Sequence, residues 1–287
     1  MPNIRVIRRR IRSVQNTAKV TRAMEMIAAS KLRRSQQRLL ASRPYSDTIM
    51  EVMGHLAAQT GDLGDDAHPL LQRREVNRVE VIHVTPDRGL CGGLNANLNR
   101  FVGRFVLDQS VPVSVIPVGR KGRDFMVRSN RDVRAVFVDQ GDRPNLLDVL
   151  PIARLAMDDY ESGYVDEVYV AYGRFISTVV QRPTIQKLLP VEPAEMEPGE
   201  LSGYIYEPGS AEVLASLLPR FVEMQVYHAV LESIGSEQSA RMVAMRNATD
   251  SANEMIQGLT LLMNKVRQES ITTELLDIVG GAAALEG

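Results

Sequence analysis

The sequence has no tryptophan, a single cysteine, and aromatic residues at only 5% of its 287 positions. With Cys91 alone, no intrachain disulfide can form, and a reducing compartment is favoured. There is no stretch of about 18 apolar residues, so the sequence predicts no membrane-spanning helix. A low content of aromatic side chains is typical of a chain with much of its length in extended helices. The contacts between such helices need only Leu, Ile, Met and Ala.

Recognisable catalytic and cofactor motifs are also missing. The chain lacks the P-loop pattern, the Gly-x-Gly-x-x-Gly fingerprint and the Gly-x-Ser-x-Gly elbow. The histidines have no metal-ligand spacing, being far apart at His55, His68, His83 and His228. The loop "DRGLCGGLN" (87–95) is either a tight turn that needs glycine or a ligand pocket, because it follows the first predicted strand. We expect no catalytic site, metal or cofactor, which favours an interaction or mechanical role.

Charge is distributed unevenly along the chain. The net charge is −1, yet residues 1–43 contain twelve Arg or Lys against one acid, Glu25. Such asymmetry is typical of a chain with an acidic protein partner, a nucleic acid or a membrane surface. A solvated helix face is the alternative interpretation.

The first segment, residues 1–58, predicts one amphipathic helix. Its Arg-rich start would also suit a transit peptide, but its periodicity continues without interruption, which favours mature structure. We expect a kink or break at Pro44. Steps of three and four give a seam with polar interruptions: Ile4, Ile7, Ile11, Val14, Ala18, Thr21, Glu25, Ala28, Leu32, Ser35 and Leu39.

The second segment, residues 74–208, alternates short β-branched runs with helical stretches. This pattern predicts an α/β domain with a mostly parallel, Rossmann-like sheet covered on both faces. An antiparallel strand is expected within 176–190. The predicted strands are 79–84, 111–119, 134–138 and 165–175, and the predicted helices are 94–108, 120–129 and 146–161.

The third segment, residues 209–287, predicts a second long helix from Ser210 to about Val279. About seventy helical residues span roughly 100 Å, which is too long for the middle domain to bury. The helix is therefore predicted to form an antiparallel coiled coil with the first one. The predicted seam is Met224, Tyr227, Leu231, Ile234, Gln238, Arg241, Met245, Ala248, Ala252, Met255, Leu259, Leu262 and Val266.

Five stretches of this sequence resemble the gamma subunit of F-type ATP synthases. Two lie in the terminal helices, "SVQNTAKVTRAMEMIAASKLRRSQ" (13–36) and "ARMVAMRNATDSANEMI" (240–256). Two others are "TPDRGLCGGLNANL" (85–98) and "YIYEPGS" (204–210). The fifth, "NKVRQESITTELLDIVGGAAA" (264–284), carries the signature positions Ile271, Thr272, Glu274, Asp277, Gly281 and Ala282. The likeness covers the whole chain in the same order.

The resemblance implies a non-catalytic rotor shaft, present in one copy per complex. Paired helices would turn inside a hexamer of alpha and beta subunits, and a foot would rest on the membrane c-ring beside the epsilon subunit. The chain lacks the cysteine-bearing insertion of the chloroplast type. With the helix starting directly after Met1, this implies a bacterial protein on the cytoplasmic face of the inner membrane.

The resemblance also implies roles for individual residues. Coupling contacts with the beta subunits are expected at Arg22, Met24, Glu25, Lys31, Arg267 and Gln268. Pairing of the two helices is expected at Arg241, Glu269, Thr272 and Glu274. The foot on the c-ring and epsilon subunit is expected at Tyr204, Tyr206 and Glu207.

Two other functions compete with this interpretation. A basic coiled coil that binds nucleic acid would use the twelve cations for phosphate contacts. However, the basic run has no aromatic residue for base stacking before Tyr45. A small-molecule enzyme would need a pocket at the loop 87–95.

The missing fingerprints predict that the middle domain binds no mononucleotide or dinucleotide tightly. Calorimetric titration of the full chain with ATP and with NAD is expected to show no saturable heat. A micromolar or tighter dissociation constant for either ligand would contradict the shaft interpretation.

Overall fold

The computed structural model describes residues 3–60, 68–192, 207 and 209–286. The chain divides into two compact units. The helix-pair unit combines Met1–Ala28 with Met242–Gly287, and the α/β unit is Ala29–Arg241. Two long helices, α1 (Ile4–Thr60) and α5 (Ser210–Glu286), contribute residues to both units.

The α/β unit is built on a five-stranded sheet in the order β3-β2-β1-β4-β5. The first four strands are parallel, and β5 is antiparallel to β4. The strands are β1 (Val79–Val84), β2 (Val113–Val118), β3 (Asp132–Val133), β4 (Glu167–Phe175) and β5 (Gln181–Leu189). The connecting helices are α2 (Leu94–Asp108), α3 (Arg120–Arg128) and α4 (Leu146–Glu161), and a short 3-10 helix covers Pro69–Leu71.

Alternating side chains of the strands bury both faces of the sheet. Val79 and Val81 of β1 pack with Leu98 and Val102 of α2 on one face, which also contains Met126 of α3. The neighbouring β1 residues lie in the core of the other face. There they join side chains from α4 and from parts of α1 and α5: Ile82, Val84, Ile152, Ala156, Ile49, Met53, Leu218 and Val222. The predicted parallel sheet with two covered faces is thus confirmed.

In the helix-pair unit, α1 and α5 run antiparallel along a narrow seam. The hydroxyls of Thr21 and Thr249 lie 2.7 Å apart, and Arg246 Nε donates to Glu25 Oε1 over 2.9 Å. Near the end of the pair, Ile7 and Ile11 are buried with Val266. Every predicted seam residue of α1 from Ile4 to Leu39 is buried or half-buried.

The seam of α5 departs from the prediction beyond Ala252. Met255 and Leu262 are 49% and 42% exposed, whereas Ile256 and Met263 pack against the buried cluster. Both registers keep a mean step of 3.5 residues, so the spacing alone does not distinguish them. In the structure, the next seam residue after Ala252 is therefore Ile256, four residues later, and not Met255, three residues later.

A break at Pro44 is not found, and one strand prediction was wrong. The helix α1 continues through Pro44, whose carbonyl accepts a hydrogen bond from the Thr48 hydroxyl. Proline removes one backbone hydrogen bond, and burial of Ile49 and Met53 in the core offsets that loss. The strand predicted at 134–138 is replaced by Asp132–Val133, with Phe137 forming only an isolated bridge to Val118.

One carboxyl group is buried inside the sheet core. Glu80 of β1 is fully buried, and its Oε1 accepts a hydrogen bond from the Ser114 hydroxyl at 3.2 Å. Its other oxygen makes no hydrogen bond with the described residues. Burial raises the pKa of Glu80 to about 8, and the nearby Asp159 carboxylate adds to the increase.

A proton on Glu80 therefore stabilises the folded state between the ordinary carboxyl pKa and about pH 8. Because the folded chain holds this proton where the unfolded chain has lost it, the free energy of unfolding falls as pH rises through that window. The loss is on the order of a few kcal/mol.

We predict that Glu80→Gln removes this pH-dependent loss. Relative to the wild type, the variant is expected to gain stability from pH 6.5 to 8.5, measured by urea unfolding of the full chain. Glu161→Gln, on the exposed side of α4, is the matched control and should follow the wild type. Parallel curves for wild type and Glu80→Gln would show that the buried carboxyl does not titrate in this range.

Candidate functional site

The order of the strands places a switch point between β1 and β4. The chain moves from β1 to β2 and β3 on one side, and then returns to pair β4 with the other edge of β1. In open α/β sheets, ligands bind in the crevice outside the carboxyl ends of the strands at such a point. Here the crevice lies beside the loop 85–93 and the turn 176–180.

This crevice is filled by the chain's own helix α5. The Glu232 carboxylate accepts a hydrogen bond from the Phe175 backbone N–H at 2.8 Å. The hydroxyls of Ser236 and Ser239 donate to the carbonyls of Gly173 and Thr178, both at 2.7 Å. The backbone groups that end β4 are thus bonded to side chains of a helix.

A largely buried ion pair holds the same helix to the loop after β1. The Arg241 guanidinium bonds the Glu237 carboxylate at 2.6 Å and the Gly89 carbonyl at 3.1 Å. The two side chains of the pair are only 12% and 13% exposed. Burial raises the pKa of Glu237, and the charge of Arg241 and its hydrogen bond oppose the increase.

We call the contacts of Glu232, Ser236, Ser239 and the Glu237–Arg241 pair the α5 clamp. The loop 87–95 packs against α5 beside the clamp, because Cys91 and Leu94 form a small buried cluster with Ala240. Burial raises the pKa of the Cys91 thiol and keeps it protonated at neutral pH. The glycine-rich loop is therefore a turn built around α5.

The α1 helix approaches α5 closely beside the clamp. The Ser35 hydroxyl donates to the Leu231 carbonyl at 3.4 Å, and Gly235 lies opposite Ser35. Lys31 of α1 also forms an ion pair of 2.6 Å with Asp142, in the loop before α4. The end of β4, the loop 87–95 and α1 therefore all contact the same stretch of α5.

The polar side chains of the clamp are engaged in contacts that hold the helix. Among the described residues, no group of three His, Cys, Asp or Glu side chains could hold a metal ion. His83 is buried with its Nε2 bonded to Asn99 at 2.8 Å, and burial lowers its pKa to about 4. The hydrogen bonds of the clamp hold α5 against the end of β4 and the loop 87–95.

The predicted coupling residues lie in different surroundings. Glu25 pairs with Arg246 inside the helix-pair unit, whereas Lys31 pairs with Asp142 in the α/β unit. The neighbouring Met24 is half-buried. The remaining three are exposed: Arg22, Arg267 and Gln268.

Within the described ranges, the predicted pairing residues bond to the loop 87–95 or inside α5, and none of them bonds to α1. Arg241 belongs to the clamp. Glu269 lies 4.0 Å from Lys265 on its own helix, and the Thr272 hydroxyl donates to the Gln268 carbonyl. Glu274 accepts from the Ser270 hydroxyl at 3.5 Å. Their roles in pairing stay predictions.

Of the predicted foot residues, Glu207 is exposed, and Tyr204 and Tyr206 lie outside the described residues.

Most residues of the clamp are not among those that the sequence predicts. Glu232, Ser236 and Ser239 were not singled out, nor were Thr249 and Arg246 of the helix pair. A signal was available in the stretch "ESIGSEQSAR" (232–241), where small and polar residues replace the large apolar ones expected inside a helix seam. Such a run is typical of a helix that packs closely against backbone groups.

Comparisons with known proteins agree with one another. A family model described as ATP synthase matches residues 3–285. The ATP synthase gamma chain of Dehalococcoides mccartyi strain 195 is 63% identical over 99% of this chain and 100% of the relative. The gamma chain of Roseiflexus castenholzii is 52% identical over 99% of each.

Two solved structures share the fold. A chain of the Tetrahymena thermophila mitochondrial ATP synthase, from a structure of the central stalk and c-ring, has a TM-score of 0.61 at 25% identity. The match covers 80% of this chain and 99% of that one. A chain of the Euglena gracilis enzyme has a TM-score of 0.68 at 19% identity and covers 98% and 94% of the two chains.

No helix among the described residues is long and apolar enough to cross a membrane. Together with the clamp, the helix pair and the identities above, the full-length matches lead to one assignment: this chain belongs to the family of ATP synthase gamma chains.

Proposed function

We propose that the chain is the central-stalk rotor shaft of a proton-translocating ATP synthase. It transmits torque between the membrane c-ring and the catalytic beta subunits, and it has no catalytic site of its own. The observation that carries this proposal is the continuity of α5, a single helix over Ser210–Glu286. The same helix is held by the clamp in the α/β unit and paired with α1 in the helix-pair unit.

Torque on the α/β unit reaches α5 through the clamp. Each neutral hydrogen bond of the clamp contributes about 1 kcal/mol, and the bonds to Glu232 and Arg241 contribute about 1.5–3 kcal/mol. These bonds point in several directions around the helix, so they resist rotation of α5 relative to the sheet. Covalent continuity of α5 then carries the rotation into the helix pair.

The C-terminal end of α5 is suited to a surrounding protein sleeve. Five large apolar side chains are 50% exposed or more: Ile271, Leu275, Leu276, Ile278 and Val279. Exposed apolar surface of this kind marks an interaction site. We propose that the hexamer of alpha and beta subunits surrounds it, with Arg22, Met24, Glu25, Lys31, Arg267 and Gln268 near the beta subunits.

A foot of the shaft is proposed to rest on the c-ring. The relatives of known structure come from central-stalk, F1 and c-ring assemblies. Tyr204, Tyr206 and Glu207 are proposed contacts with the c-ring and the epsilon subunit. One copy per complex, on the cytoplasmic face of the bacterial inner membrane, completes the proposal. Nothing in the family assignment favours the alternative of a nucleic-acid-binding coiled coil.

We predict that the triple variant Glu232→Gln, Ser236→Ala, Ser239→Ala loosens the clamp. The free energy of unfolding of the full chain should fall by roughly 2–4 kcal/mol, because three buried partners of the β4 end are lost or weakened. In the assembled enzyme, fewer protons should be pumped for each ATP hydrolysed. The measured quantity is the ratio of the proton-pumping rate to the ATP hydrolysis rate in membrane vesicles.

The matched control for this prediction is Glu212→Gln, Ser216→Ala, two exposed changes on the same helix. The control should match the wild type in both measurements. A triple variant that is destabilised yet keeps the wild-type ratio of pumping to hydrolysis would refute torque transfer through the clamp.

We predict that deletion of residues 280–287 leaves assembly and ATP hydrolysis largely intact. The deleted residues carry one large apolar side chain, Leu285, and burying a leucine contributes about 1.5–3 kcal/mol. A longer deletion, back through Arg267, should weaken both assembly and ATP hydrolysis. It also removes the apolar residues Ile271, Leu275, Leu276 and Ile278. Complex yield and hydrolysis per complex are scored across the truncation series. Loss of assembly in the shorter deletion would identify the last eight residues as an anchor.

A further inference from the structure

A long groove runs between α2 and α3 on one face of the sheet. The two helices approach closely, since a Cβ at Gly103 would lie 3.3 Å from ring carbons of Phe125. The groove has a volume of about 1060 Å³ and follows α2 from Asn95 to Leu107. Twelve residue steps of helix correspond to roughly 18 Å. None of its lining residues belongs to the α5 clamp.

The charge of this α2–α3 groove is strongly one-sided. Its lining contains one acid, Asp124, against six cations: Arg100, Arg104, Lys121, Arg123, Arg128 and Arg131. Arg123 bonds the Asp124 carboxylate at 2.7 Å, and Arg128 donates to the Asp124 carbonyl.

Four of the six cations are available to another molecule. Within the described part of the chain, the side chains of Arg100, Arg104, Lys121 and Arg131 make no hydrogen bond or ion pair. Arg100 and Arg104 are one helical turn apart on α2, whereas Lys121 lies in the first turn of α3 and Arg131 lies three residues after its end. Free positive charge therefore lines both walls.

Apolar side chains lie between these cations. Leu107 and Val127 are 65% and 59% exposed, and the half-buried Phe125 ring lies between α2 and α3. A hydrated anion such as phosphate would use the cations but leave this apolar surface uncovered. An occupant that satisfies both must carry acidic groups and an apolar side together.

The shape and lining of the groove distinguish a lipid bilayer, a nucleic acid and a protein helix as possible binding partners. A lipid bilayer presents a broad, nearly flat surface, which would not reach the floor of a groove between two helices. A single-stranded nucleic acid would need stacking platforms, and Phe125 is the one aromatic residue in the described lining. A duplex would bind the cations through its phosphates and leave the apolar side chains uncovered. A helix of about three turns matches the roughly 18 Å length and can present leucines and carboxylates on adjacent sides.

We propose that the α2–α3 groove docks an acidic amphipathic helix of a partner protein. The apolar side of that helix packs on Phe125, Leu107 and Val127. Its carboxylates pair with Arg100 and Arg104 on one wall and with Lys121 and Arg131 on the other. This interaction is separate from torque transmission, and it gives the α/β unit a binding surface of its own.

The test uses a fluorescein-labelled peptide of about fourteen residues, with leucines at helical spacing and glutamates beside them. Fluorescence anisotropy is measured with the purified full-length chain at about 50 mM and about 300 mM NaCl. We expect saturable binding that weakens with salt. Charge reversal on either wall, by Arg100→Glu with Arg104→Glu or by Lys121→Glu with Arg131→Glu, should weaken it roughly tenfold or more.

Two controls make the outcome specific. Arg154→Glu changes an exposed arginine on α4 and should alter the affinity by less than about twofold. A peptide with every glutamate replaced by glutamine should bind roughly tenfold more weakly than the acidic one. Equal effects of Arg154→Glu and the groove variants, or equal binding of the two peptides, would overturn the proposal.

Membrane binding is tested in the same series. Vesicles of phosphatidylcholine with and without phosphatidylglycerol are sedimented with the wild-type chain and with both groove variants. No groove-dependent sedimentation is expected. Sedimentation that requires phosphatidylglycerol and is lost in both groove variants, without acidic-peptide binding, would assign the groove to a bilayer and refute the helix.

Discussion

Burial of a polar stretch of α5 at the carboxyl end of the sheet is the constraint on which the α/β unit depends. Strands that end inside a protein leave backbone groups that need partners. Here Gly173, Thr178 and Phe175 receive them from serine hydroxyls and a carboxylate of α5. The sheet end and the helix therefore complete one another, and the position that related folds give to a ligand is already filled.

The helix α5 passes through four successive environments, which explains its irregular pattern. Its first turns bury Leu214, Leu218 and Val222 in an apolar core. The clamp residues follow, then the narrow seam with α1, and finally a stretch with exposed apolar side chains. Each environment selects different residue types on different faces. A helix that serves only one neighbour would keep a single stripe throughout.

The buried polar side chains differ in how completely they are hydrogen-bonded. Arg241 bonds both the Glu237 carboxylate and the Gly89 carbonyl of the loop 87–95. Glu80 and His83, in contrast, each have one polar atom without a partner among the described residues. Burial of an unpaired charge is costly, so both groups favour their neutral forms. In the clamp, by contrast, the Glu232 and Glu237 carboxylates and the Arg241 guanidinium each have a hydrogen-bond partner.

Local sequence by itself determined the two long helices, the parallel sheet, the helices α2 and α4 with their bounds, and the α1 seam, because periodicity of apolar residues follows directly from helix and strand geometry. Family resemblance supplied the rotor hypothesis. Tertiary structure decided what spacing leaves open: Ile256 rather than Met255 in the seam, an unbroken helix at Pro44, and β3 at Asp132–Val133. It also decided the clamp, since Ser236 and Gly173 are 63 residues apart and meet only when α5 enters the end of the sheet. A hydrogen bond between such distant residues leaves no periodic signal in the sequence.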